Sequence, residues 1–305
     1  MTREENFYSE ITKAEVEQSG PVRAVIRLEG KHRLAAGRRE WLPFKLRLYF
    51  YAGQAGFNVV HSFMYDGNSH KDFIKGLGMT FSLPMQGPLY NRHVRFAGDT
   101  GVFSESPKNL ATIRTTGKYE ELYRRQFVGE NIEFQPEEDA RFLGLLDESP
   151  VWDSFKLVQD SADHFTITKQ TKETCSWLKA VEGRRAGGLI YAGSESGGLA
   201  VGMKNFWEKH PTSLEVTQAS KEVAQLKVWF WSPDTKAMDL RHYDTETHVA
   251  SSYEGFEEMR STPYGIANTS ELRIRCLDAT PDPATLMQMT EESRSPGRLR
   301  CEPEY

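Results

Sequence analysis

The stretch KLRLYFYAGQAGFNVVHSFMYDG, residues 45 to 67, reads as two strand-like runs in succession. In the first, Leu46, Leu48 and Phe50 fall on one face and Lys45, Arg47, Tyr49 and Tyr51 on the other, the period of two of a half-buried strand. The second closes on Asp66-Gly67, a turn signal. Runs of the same kind recur at PVRAVIRLEG, SFKLVQDS, DHFTITKQT, GGLIYAG, GGLAVGM, TSLEVTQ and VAQLKVWFW, separated by segments rich in Gly, Ser, Asp and Pro. The expected fold is therefore all-β, a large antiparallel β-sandwich with few short helices rather than alternating βαβ units. PATLMQMTEES is the best amphipathic helix, with Pro283 suited to its first turn. VGMKNFWEKHP allows one or two turns before Pro211, and residues 103 to 150 read as a mixed, Glu-rich excursion from the sheet.

The chain's 305 residues suffice for one large all-β domain or two ordinary ones. Aromatic residues make up 11%, too many for a disordered chain, and the net charge of -5 supplies no basic excess for general nucleic-acid binding. Every apolar run stops well before the roughly 18 residues of a membrane span. The opening MTREENFYSEITKAEVEQSG lacks the apolar core of a signal peptide, so nothing marks the chain for export. Cys175, Cys276 and Cys301 have no metal-ligand spacing and define no disulfide framework. There is no zinc spacing, HExxH or EF-hand loop, so no metal site and no cofactor is expected, with calcium left open. GSESGG, at 193 to 198, precedes a strand instead of the helix of a nucleophile elbow, and GGLAVG lacks dinucleotide-binding spacing.

Four stretches concentrate chemistry. LPMQGPLYNRHVRFAGDTG brings Tyr90, Asn91, Arg92, His93, Arg95 and Asp99 close together. HKDFIKGLGMTFSLP sets Lys75 beside glycines. WFWSPDTKAMDLRHYD joins Trp229 and Trp231 to Asp239, Arg241, His242, Tyr243 and Asp244, and YEGFEEMRSTPYGIANTSEL carries Tyr264. Two readings stand at this level. The tryptophans cover a sheet and the charges form minor surface ion pairs, or these groups converge on an acidic ligand.

SGPVRAVIRLEGKH, DFIKGLGMTFSLPM, YNRHVRFAGDTG, GGLAVGMKNFWEKHPTSLEV, WFWSPDTKAMDLRHYD and STPYGIANTSEL resemble, in order, the central β-sandwich domain of the YetA-like proteins. That group includes the exo-rhamnogalacturonan lyases of polysaccharide lyase family twenty-six. The resemblance runs from about residue 18 to 275. It implies a central sandwich over residues 1–275 and, in 276–305, a linker or the start of a C-terminal α/α toroid. Family members look like three-part proteins, so the resemblance casts this chain as a fragment whose toroid partner is missing in cis. Exported members imply an extracellular setting.

The implied reaction is β-elimination at a galacturonate of rhamnogalacturonan-type pectin, with an acidic polysaccharide or oligosaccharide as partner. Such a lyase removes a weakly acidic C5 proton, so a cation must neutralise the carboxylate while a base and an acid transfer protons. By resemblance, Arg92, Arg95 or Arg241 neutralises the uronate, and Lys75 or His93 serves as base. Tyr90, His242 or Tyr243 serves as acid or sugar contact. Asp99 and Asp239 join the substrate-binding set, while Trp231 and Tyr264 stack on pyranose rings. The rival readings are a non-catalytic carbohydrate-binding or scaffold sandwich, and a glycoside hydrolase using Asp239 and Asp244.

Overall fold

The structure, a computed structural model, describes residues 3–241 and 263–295. It divides into two units. Unit 1 comprises Met1–Ala52, Asn58–Gly76 and Thr235–Glu271, and unit 2 comprises Gly53–Phe57, Leu77–Asp234 and Leu272–Tyr305.

In unit 1, strands β1 (Phe7–Ser19), β2 (Arg23–Leu34), β3 (Glu40–Tyr51) and β4 (Gly56–Met64) lie in that order, with β15 (Ala267–Leu277) beside β4. Strand pairing reproduces the alternation of the sequence. Leu46 and Leu48 stand opposite Leu28 and Ile26, and Lys45 and Arg47 opposite Glu29 and Arg27. The polar side is an ion-pair ladder: Glu17 accepts from Arg47 at 2.7 Å and from Arg27 at 3.1 Å, and Arg27 also reaches Glu15 at 2.5 Å. Gly30 is required where β2 runs between its neighbours, because a Cβ there would meet the Phe44 ring at 2.7 Å.

Unit 2 is the two-layered sandwich read from the sequence. One sheet runs β15-β12-β11-β6-β7, using β6 (His93–Ala97), β7 (Val102–Glu105), β11 (Leu189–Ser194) and β12 (Gly197–Met203). The other runs β10-β9-β8-β13-β14-β5, using β5 (Leu77–Pro84), β8 (Ser154–Ser161), β9 (His164–Gln170), β10 (Leu178–Gly183), β13 (Thr212–Thr217) and β14 (Val223–Trp231). Pairings within both sheets are antiparallel. Val94, Phe96, Leu157, Ile167, Leu214, Leu226 and Val228 alternate into the core, all almost fully buried.

The excursion between β7 and β8 holds helices α1 (Lys118–Val128) and α2 (Ala140–Glu148). They close a core of their own from Leu110, Leu122, Ile132, Phe142 and Leu146. Helix α3 (Pro283–Arg294) starts where Asp282 caps the amides of Ala284 and Thr285, with Pro283 in the first turn. Leu286 of α3 shares a buried cluster with Ala97, Leu189, Tyr191 and Ala200. The packing of unit 2 thus continues beyond residue 275, through the end of β15 and the docked helix α3.

Candidate functional site

Strand β6 lies between β11 and β7, so both its faces have neighbours to bury against. Val94 and Phe96 enter the sandwich core; His93, Arg95 and Ala97 alternate to the opposite face. That face is buried too. Strand β6 is therefore buried on both sides.

The polar groups of residues 91–95 face into the fold, and the arginines among them are spent on backbone carbonyls. Asn91 Nδ2 donates to Ile132 O at 2.9 Å and to Glu195 Oε1 at 2.6 Å, while its carbonyl oxygen accepts from Ile132 N at 3.0 Å. Arg92 donates to Lys221 O at 2.6 Å, to Ala219 O at 3.3 Å and to Gly87 O. Arg95, 0% exposed, donates to Phe127 O at 2.6 Å and to Pro281 O, joining the end of α1 to the segment that starts α3. No carboxylate forms an ion pair with it among the described residues, and burial holds its guanidinium down to about 10. His93, 2% exposed, has Nδ1 3.3 Å from Ser106 Oγ, and its Nε2 has no hydrogen-bond partner among the described residues. Burial, then the neighbouring Arg95, hold its imidazole near 3, so it is neutral at physiological pH.

Tyr90 stacks edge-on against Phe134 with ring centroids 5.1 Å apart, and burial raises its phenol. Asp99, at the exposed β6–β7 turn, accepts from Arg184 N at 3.0 Å. Trp231 ends β14 opposite Leu77. Residues 90–95 thus tie loops and helices to a strand, and no sugar ring reaches His93 or Arg95 while that cover is in place.

Unit 1 assembles a different set. Ile74 pairs with Met238, Lys75 Nζ donates to Thr235 O at 2.7 Å, and the Arg241 guanidinium lies 5.2 Å from the Phe73 ring centroid. Arg241, its side chain 42% exposed, is bound by Asp239, whose carboxylate also accepts the Arg241 backbone N–H at 3.0 Å. Nearby, Tyr65 O–H donates to Asp72 O at 2.9 Å, and Asp72 pairs with Arg39 at 2.7 Å. Burial, then the Asp72 charge, push the Tyr65 phenol up, and Asp239 adds to that rise. Tyr264, 61% exposed, precedes Gly265, whose N–H donates to Tyr65 O at 2.7 Å. Lys75, Asp239 and Arg241 are therefore brought together by a two-stranded backbone contact. His242 and Tyr243 lie outside the described residues.

Sequence reasoning passed over Tyr65, Asp72, Lys108 and Gln126. Lys108 Nζ donates to the carbonyls of Leu146, Asp147 and Ser149 at the end of α2, a cation satisfying a helix C-terminus. Gln126 bonds Tyr90 O, Lys108 O and Leu110 N. Each has a polar or charged residue directly beside it, so no local pattern singles it out. Among the described residues, no group of three or more His, Cys, Asp or Glu side chains is placed to hold a metal.

Two antiparallel sheets with a helical excursion between β7 and β8 define the class, a β-sandwich domain. The chain belongs to the PcRGLX-like protein central beta sandwich domain family, whose model matches residues 1–291. It is 42% identical over 300 residues to the uncharacterized protein YetA of Bacillus subtilis strain 168, covering 98% of this chain and 35% of that protein. The chain thus spans about a third of the length of that relative. Solved structures are more distant. The Slr1438 protein of Synechocystis matches at 9% identity and TM-score 0.34, over 88% of this chain and 66% of that one. A putative aldose 1-epimerase of Escherichia coli K12 matches at 10% identity and TM-score 0.32, over 87% and 68%.

Proposed function

We propose that this sandwich serves a polysaccharide lyase acting on rhamnogalacturonan-type pectin, and that its part is to receive the galacturonate at the Lys75–Asp239–Arg241 group of unit 1. One observation carries the reading: of the cations named from the sequence, Lys75 and Arg241 are exposed and gathered on adjoining backbone, whereas Arg92 and Arg95 are buried against carbonyls. In this reading Arg241 presents a planar fork to the uronate carboxylate, with Asp239 fixing its orientation. Lys75, next to the Ile74–Met238 backbone pairing and bonded to Thr235 O, is the candidate base for the same sugar. Neutralising the carboxylate stabilises the enolate-like charge that develops as the C5 proton leaves.

The test is release of unsaturated uronate from rhamnogalacturonan, followed by ultraviolet absorbance, using the chain alone and joined to the remaining domains of a longer family member. Lys75→Ala and Arg241→Ala are each expected to lower the rate about a hundredfold, the scale of one positioned acid–base or electrostatic group. Full rate in both variants overturns the assignment. The burial of His93 and Arg95 favours a second reading, a sandwich that binds acidic saccharide without catalysis. It predicts Arg241-dependent binding with no unsaturated product from any form of the protein.

A further inference from the structure

The solvent side of the second sheet in unit 2 is not an ordinary polar face. Register carries one row across it: Thr168 opposite Lys156, Lys156 opposite Glu215, Glu215 opposite Lys227, and Lys227 opposite Thr80. The alternate residues Leu157, Val216 and Leu226 point into the core, so this row points outward. Two indoles flank it. Lys156 Nζ lies 4.3 Å from the Trp177 ring centroid, and Trp229 Nε1 donates to Glu215 Oε2 at 3.2 Å. The Trp229 indole lies close against its neighbour across the ladder, Gly78, where an added Cβ would come within 2.9 Å of the ring.

The charges between the rings are balanced and set into the surface. Lys156 pairs with Asp234 at 2.6 Å and Lys227 with Glu215 at 3.3 Å, with Lys156 and Glu215 side chains only 13% and 14% exposed. Beneath them the hydroxyls of Thr168 and Ser213 are buried without a hydrogen-bond partner among the described residues. Ser213 is 0% exposed and stands directly opposite Trp229. A buried hydroxyl left unpaired is costly, and a polar ligand or ordered water entering from this face is what would satisfy it.

We propose that this face, centred on Trp177, Lys156, Glu215 and Trp229, binds a neutral hexopyranose chain, apart from the uronate-binding group of unit 1. A pyranose has an apolar C–H face that lies on an aromatic ring and a rim of hydroxyls that both donate and accept. The row offers rings for the first and alternating ammonium donors and carboxylate acceptors for the second. The paired charges leave no surplus cation for a uronate carboxylate, which is why the ligand is neutral.

The experiment titrates the full chain with neutral tetraoses of gluco, galacto and manno configuration and with an oligogalacturonate of equal length, read by tryptophan fluorescence and calorimetry. At least one neutral tetraose is expected to bind, and Trp177→Ala and Trp229→Ala each to weaken it about tenfold, the loss of one stacked ring. Trp177 lies in the loop before β10, so its variant serves where Trp229→Ala fails to fold. Lack of binding by all three neutral tetraoses overturns the proposal, as does unchanged affinity in Trp177→Ala. Indole-dependent binding of the oligogalacturonate alone overturns the assignment to a neutral sugar. Elimination activity that survives Trp177→Ala leaves the lyase reading separate from this one.

Discussion

Residues 90–95 and residues 235–241 carry similar side chains and meet opposite surroundings. In the first, Arg95 is sealed from water and held by main-chain oxygens of Phe127 and Pro281. In the second, Arg241 stands in solvent beside a carboxylate two residues away. A guanidinium surrounded by carbonyls organises chain; one on the surface is disposed to meet a ligand. The difference teaches that clustering of polar residues along a sequence marks either a site or a tie, and that burial separates the two.

The largest effect expected of that difference is on stability. Arg95→Ala strips donors from the Phe127 and Pro281 carbonyls and leaves a cavity beside them, at a cost of about 3–5 kcal/mol read from the shift of the denaturant midpoint. A loss below about 1 kcal/mol would show that the tie is incidental.

Acid comes next, and it tests both units. His93 titrates near 3 and His61, in unit 1, near 4, each depressed chiefly by burial from an unfolded value of about 6.5. As pH falls, the unfolded chain takes up these protons first. The stability they contribute is therefore complete above about pH 6.5 and lost as pH falls towards 4, by roughly 3 kcal/mol for each group. Urea midpoints at pH 7 and pH 4 measure this loss, and His93→Gln should flatten the part arising in unit 2. An unchanged pH dependence in that variant would place the buried titration elsewhere.

The smallest effect completes the contrast. Arg241→Ala should change stability by less than about 1 kcal/mol, as for exposed ion pairs, while abolishing uronate binding by the same protein. Equal losses in Arg241→Ala and Arg95→Ala would erase the distinction between site and tie.

Much of the sandwich was legible because strands announce themselves locally. SFKL and AQLKV alternate apolar and polar residues, and they emerge in β8 and β14 with Phe155, Leu157, Ala224, Leu226 and Val228 buried; Gln159, further along β8, is a polar residue buried on the same side. The turn at Pro283 and the capping Asp282 likewise lie within a few residues of the helix they start. The excursion was less legible. Its helices are short, and they are held by contacts such as Lys108 to Leu146 O, thirty-eight residues apart. The candidate site was legible as a list of residue types but not as a grouping. Lys75 and Thr235 lie 160 positions apart, and no local pattern joins them.

By itself, the order of side chains determined the all-β class, the two-faced strands and the α3 start, since each depends on neighbours within a turn or two of chain. Only the tertiary structure decided that β6 is covered on both faces, that α3 docks on unit 2, and that Lys75 meets the backbone near Arg241. Burial and charge pairing are set by groups distant in sequence, and the ionisation of a histidine or the availability of an arginine follows from what those groups exclude or supply.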